Sequence, residues 1–183
     1  SLRLTPTVDS TLHTDPTLGH RTLRVKASAG PLTLRYRARV RLDRPLPDTA
    51  AKELPSEALP HEVLTYVMPT RYCESDRLAS AATRMFGSVE PGYARVKAVN
   101  DWIHEHIEYR LGSSNTTTTA CDVFLQRAGV CRDFAHLGVA FCRALNIPAR
   151  LAVGYARFDE PPPDFHATFE AFLGGRWELF DPT

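Results

Sequence analysis

The amino-acid sequence predicts an α+β fold: a helix packed on an antiparallel sheet, preceded by a small β hairpin region. Three features carry that expectation. Residues 23–42 alternate apolar and charged side chains with period two. Apolar stripes at helical spacing run from Leu78 to Leu145. The final stretch returns to strand patterns around Gly174-Gly175. At 183 residues, 43% of them apolar, the chain is long enough to bury a core of its own.

Leu23, Val25 and Ala27 alternate with Arg24 and Lys26; Leu34, Tyr36, Ala38, Val40 and Leu42 alternate with Arg35, Arg37, Arg39 and Arg41. Ser28-Ala29-Gly30-Pro31 between them supplies turn residues, so the two runs are expected to pair as a hairpin. The arginine row reads as the wet side of a sheet. Pro45, Pro47, Pro55 and Pro60 then mark a linker between an N-terminal β region, residues 1–47, and a core, residues 61–183.

Helical signals follow. Asp76 is placed to cap a short helix through Leu78, Ala82 and Met85 that stops near Gly87. Pro91 opens a longer helix with Val96, Val99, Ile103 and Ile107 inward and Trp102 beside them. His104 and His106 on it face different sides and make a poor ligand pair. Thr119 and Asp122 form a capping box ahead of Val123-Phe124-Leu125, with Gly129 as the C-terminal cap. The next helix runs from Cys131 to about Leu145, ended by Asn146 and Pro148. Arg150 to Tyr155 reads as a strand and the triple-proline run from Glu160 to Asp164 as a stiff loop. His166–Leu173 and Arg176–Asp181 read as a closing hairpin.

Bulk properties exclude several function classes. A net charge of +1 gives no electrostatic case for nucleic acid or an anionic membrane as the main partner. No apolar run is long enough to span a bilayer. Cys73, Cys121, Cys131 and Cys142 show neither CxxC pairs nor zinc-site spacing, and no DxDxDG calcium loop occurs, so no metal and no cofactor are expected. Cys121 and Cys142 read as buried structural thiols. No charged-then-apolar leader opens the sequence, which favours a cytoplasmic location. Without an initiator methionine it is expected to be a segment of a longer protein.

The chemistry concentrates at Cys131. A cysteine in the first turn of a helix feels the positive end of the helix dipole, which favours the thiolate nucleophile. If Gly174-Gly175 is the hairpin tip, Phe172 faces Trp177, Glu170 faces Leu179 and Thr168 faces Asp181. His166 then points to the same side as Thr168, a diagonal neighbour of Asp181 at ~7–8 Å between backbones. A carboxylate there can hold an imidazole in one tautomer. His136, five residues along from Cys131, is turned roughly 140° away and cannot serve it. Cys131, His166 and Asp181 are therefore the candidate catalytic residues of a cysteine acyl-transfer site, with the Cys131 backbone N–H as an oxyanion donor.

Four pieces in this order resemble the bacterial type of the transglutaminase-like superfamily of papain-fold cysteine enzymes. They are Gly129-Val130-Cys131-Arg132-Asp133-Phe134-Ala135-His136, Arg143-Ala144-Leu145-Asn146-Ile147-Pro148-Ala149-Arg150 with Gly154-Tyr155, His166-Ala167, and Trp177-Glu178-Leu179-Phe180-Asp181-Pro182-Thr183. The resemblance is strongest over the last third and extends back to residue 61. It implies a papain-like, transglutaminase-core fold with Cys131, His166 and Asp181 as its catalytic residues. It further implies a cysteine hydrolase or acyltransferase acting on peptide amides of a peptide or protein substrate, leaning to peptidase or amidase. The alternative is a non-catalytic binding or scaffold module that kept the fold. A nucleic-acid binder acting through the arginine strand would rest on one row of charge.

Overall fold

The computed structural model describes residues 1–16, 19–41, 46–156 and 164–183. By backbone contacts the chain divides into two compact units, Ser1–Pro45 and Leu46–Thr183.

The first unit holds four short strands, β1 (Leu2–Thr5), β2 (Asp9–Thr14), β3 (Arg21–Lys26) and β4 (Thr33–Tyr36). They do not pair as the alternation suggests. β3 pairs antiparallel with β2, setting Leu23 opposite Leu12, and β4 pairs with β1, setting Leu34 opposite Leu4. The expected β3–β4 hairpin is replaced by two separate two-stranded sheets. No described residue in this unit is buried, so no core face selects one register or partner over another. Ala38 and Val40 lie beyond the end of β4; Leu42 and Pro45 fall outside the described residues.

The second unit contains the core. Residues 46–60, expected as a linker, are fastened to it: Ala51 is buried, its carbonyl accepts the Tyr93 N–H at 2.9 Å, and the Lys52 carbonyl accepts the Gly174 N–H at 2.9 Å. The prolines stiffen a strap, and Leu59 and Val63 pack on Phe172. Helices α1 (Ser75–Phe86) and α2 (Tyr93–His106) follow, then the two-residue strand β5 (Glu108–Tyr109) and helix α3 (Ala120–Gln126). Asp76 lies inside the first turn of α1, which Glu74 precedes as N-cap with no side-chain capping bond. α3 carries the expected capping box of Thr119 and Asp122, but it ends on Arg127 in the left-handed region. Gly129 instead belongs to strand β6 (Ala128–Gly129), which pairs in parallel with β5. A Cβ at Gly129 would stand 2.7 Å from the Asp133 side chain, which explains the glycine by close approach.

Helix α4 (Cys131–Ala144) is the centre of the unit, buried from Asp133 to Arg143. One side meets α1, α2 and α3. There the Phe141 ring packs edge-on against Phe86, Trp102 and Phe124 at 5.3–5.8 Å. The other side meets the sheet β7 (Ala149–Ala156), β8 (Asp164–Leu173) and β9 (Arg176–Phe180), with β8 in the middle. At the end of α4 the buried Arg143 donates to the carbonyls of Met68 (2.8 Å) and Ala149 (3.0 Å) and to the Thr70 hydroxyl (3.3 Å). The triple-proline loop lies outside the described residues, apart from Asp164, where β8 begins.

Candidate active site

The hairpin register is the one the sequence predicts. Phe172 pairs with Trp177, Glu170 with Leu179 and Phe169 with Phe180, without a bulge. That register carries His166 to Asp181, and Nε2 of the ring lies 2.8 Å from the carboxylate Oδ2. The imidazole side chain is 14% exposed and the carboxylate 48%, so the pair sits at the rim of the fold. The other carboxylate oxygen of Asp181 accepts the Thr183 N–H at 3.1 Å, which orients the acid.

Cys131 is the first residue of α4 and is half-buried. The helix is fixed against the sheet at two points. A Cβ on Gly138 would stand 2.6 Å from the Phe169 ring, so backbone and ring are in direct contact there. Past the helix end, the Pro148 carbonyl accepts the Phe172 N–H at 2.8 Å. α4 and β8 therefore advance in the same sense. Seven residues back from Gly138 bring Cys131 to nearly the same azimuth, ~10 Å nearer the helix start. Three residues back from Phe169 reach His166, ~10 Å along the strand. By these ideal rises Cys131 and His166 come to a similar height along the sheet. The pleat turns the imidazole to the face opposite Phe169. Pairing of β8 with β9 stops at Phe169 and Phe180, so among the described residues only β7 pairs as a strand with residues 164–168 of β8.

The mouth of α4 is built from residues that motif reading passed over. Asp133 is fully buried; its Oδ2 accepts the Val130 N–H at 2.9 Å, and its Oδ1 accepts from Arg132 at 3.0–3.2 Å. Val130 cannot supply the hydroxyl half of a capping box, so the pattern escapes the usual Ser/Thr signature. The Arg132 guanidinium offsets the Asp133 charge beside the thiol. It also donates to the Ser114 hydroxyl (3.2 Å) and the Asn115 carbonyl (3.0 Å), tying that loop to the helix start. Tyr109 stands beside Gly129 through the β5–β6 pairing, its ring 6.0 Å from Phe134. Its phenol is raised above its ordinary range, first by burial and then by the nearby Cys131, with the Cys131 backbone working the other way.

The remaining cysteines and histidines fall into other roles. Burial pushes the Cys73 and Cys121 thiols up to about 11 and raises Cys142 further, so all three are poor nucleophiles. His136 is buried and stacked on Tyr72 at 5.4 Å. His104 Nδ1 lies 3.1 Å from the Thr183 carbonyl, and His106 stacks on Trp102. Among the described residues no group of three or more His, Cys, Asp or Glu side chains could hold a metal ion.

Comparison with known proteins agrees with this architecture. The family profile described as the transglutaminase-like superfamily matches residues 79–182. An uncharacterized protein of Mycobacterium leprae is 32% identical over 142 residues, 72% of this chain and 49% of that protein; the chain spans about half its length. The crystal structure of a "putative cysteine protease" from Cytophaga hutchinsonii superposes with a TM-score of 0.84 at 38% identity, over 100% of this chain and 64% of that one. The periplasmic domain of TgpA from Pseudomonas aeruginosa, bound to ethylmercury, shares the fold with a TM-score of 0.53 at 22% identity, over 70% of this chain and 51% of that one.

Proposed function

The chain belongs to the transglutaminase-like superfamily, and from that premise we propose that it is a cysteine-dependent acyl-transfer enzyme acting on peptide amides. In this reading residues 61–183 form the catalytic core, residues 1–47 a separate β region, and the partner is a peptide or protein rather than nucleic acid. The observation that carries it is the His166–Asp181 hydrogen bond of 2.8 Å, in a fold whose central helix begins with cysteine.

The roles follow from the chemistry of each group. The Cys131 thiolate attacks the amide carbonyl, forming an S–C bond, and the carbonyl oxygen gathers charge. The Cys131 N–H is the donor assigned to that oxyanion. His166 uses Nε2 to meet Asp181, so Nδ1 is the nitrogen assigned to the sulfur. It takes the thiol proton and returns it to the leaving amine as the C–N bond breaks. Water then cleaves the thioester in a peptidase or amidase; an amine would do so in a transglutaminase. Hydrolysis is the reading preferred here.

Among the described residues no helix is long and apolar enough to cross a membrane. A cytoplasmic setting is part of the proposal: all four cysteines are free, as a reducing compartment keeps them.

Mass spectrometry after iodoacetamide treatment near neutral pH tests the reading. Cys131 is expected to alkylate ahead of Cys73, Cys121 and Cys142, and His166→Ala is expected to slow it. Equal labelling of all four thiols would remove the mechanism. A scaffold that kept the fold would bind its partner unchanged after Cys131→Ala.

A further inference from the structure

The chain has ten glycines, and the structure accounts for nine of them. Six adopt positive φ, where a side chain is strained. Three more, Gly87, Gly129 and Gly138, lie so close to a neighbour that a Cβ would stand under 3.0 Å from it. Gly154 has neither reason. Its φ is ordinary, and no described atom lies within 4 Å of where its Cβ would be. A strand gains stability from a side chain at such a site. Folding alone therefore does not call for glycine here.

Its position does. Gly154 is the direct cross-strand partner of His166, so the two share one face of the sheet. β7 is the edge strand of its sheet among the described residues, and its outer backbone edge faces no partner strand. The missing side chain leaves an open notch between that edge and the imidazole. On either side of it Val153 and Tyr155 are exposed at 60% and 71%, and the Tyr155 ring stacks on Phe165 at 4.9 Å. These side chains alternate with Gly154, so they lie on the other face of β7 and present exposed apolar surface along its outer edge.

We propose that Gly154 is a specificity-determining residue: the notch at Gly154 seats the acyl donor where its backbone crosses β7 to reach the site beside His166. This inference rests on the acyl-transfer reading above and names its substrate class. The donor is an extended peptide segment lying along the outer edge of β7, with apolar side chains at the positions that meet Val153 and Tyr155. A side chain at residue 154 narrows that crossing on the face shared with His166.

The test compares a small and a large thiol reagent on the same protein. Second-order rate constants for Cys131 are measured with iodoacetamide and with a peptidyl chloromethyl ketone bearing apolar residues, in wild type, Gly154→Ala and Gly154→Leu. Thermal melts confirm that both variants are folded; Gly154→Ala is expected to melt no lower than wild type. Iodoacetamide rates are expected to stay within about twofold in Gly154→Ala and to fall less than the peptidyl reagent's in Gly154→Leu. The peptidyl reagent is expected to slow about tenfold in Gly154→Ala and about a hundredfold or more in Gly154→Leu. Equal rates for wild type and a folded Gly154→Leu with the peptidyl reagent would overturn the notch, as would equal slowing of both reagents. If wild-type Cys131 shows no preference for iodoacetamide over the other thiols, the acyl-transfer reading fails first and takes this inference with it.

Discussion

The β strands at the two ends of this chain were read with the same rule and behave differently. In the closing hairpin, alternation and a Gly-Gly tip place each residue opposite its observed partner, down to the His166–Asp181 bond. In the N-terminal unit the same alternation pairs the wrong strands. The difference is burial. Phe169, Ala171 and Leu173 are fully buried, so a one-residue slip would expel all three from the core. Leu12, Leu34 and Tyr36 are exposed at their places in the first unit, and a slip there costs little. Period two reveals a strand; only a buried face reveals its partner.

Four perturbations sharpen or break that contrast. The largest effect is expected from Cys131→Ala, which removes the proposed nucleophile. Turnover of a peptide amide is expected to fall by about 10⁴-fold or more with the melting temperature preserved, whereas Leu34→Ala leaves turnover unchanged. Undiminished turnover in Cys131→Ala would move the chemistry elsewhere. Next, Phe141→Ala empties a fully buried site ringed by three aromatics and is expected to cost about 3–5 kcal/mol in urea unfolding.

Third, burial and then Arg132 push His136 down to about 4 from its ordinary value of 6.5. The folded chain resists a proton that the unfolded chain accepts. The stability is therefore full above about pH 6.5 and is lost as pH falls toward about 4, up to about 3 kcal/mol. Urea midpoints at pH 7 and pH 4.5 are expected to converge in His136→Phe relative to wild type; an equal drop in both proteins would place the acid sensitivity elsewhere. The smallest effect is expected from Leu34→Ala. An exposed leucine on a sheet without a core contributes under about 0.5 kcal/mol, and a larger loss would show that this face is covered in solution.

Much of the second unit was legible because helices announce themselves through caps and stripes. The Thr119–Asp122 box and the start of α4 at Cys131 are where the sequence puts them. Three things were hidden. Residues 46–60 look like a tether because prolines dominate local pattern, yet Ala51 and Leu59 find partners far away in sequence. Gly129 looks like a helix cap because its contact, the Asp133 side chain, exists only once α4 has formed. Tyr109 gave no motif at all. It reaches Cys131 through a two-residue parallel pairing too short to leave a periodic trace. Local chemistry was readable, and long-range contact made by one or two residues was not.

Helix α4 is tied at both ends by arginine: Arg132 holds Ser114 and Asn115 at its start, and Arg143 holds Met68, Thr70 and Ala149 at its finish. A rod anchored twice can neither slide nor roll without breaking several charge-assisted bonds together. The sulfur is thereby a stationary reference point. Whatever travel an acyl exchange demands falls to the incoming chain and to the segments around the rod. Slackening one anchor, as in Arg132→Ala, would show itself as a loss of timing between attack and proton return rather than as a loss of grip on the substrate.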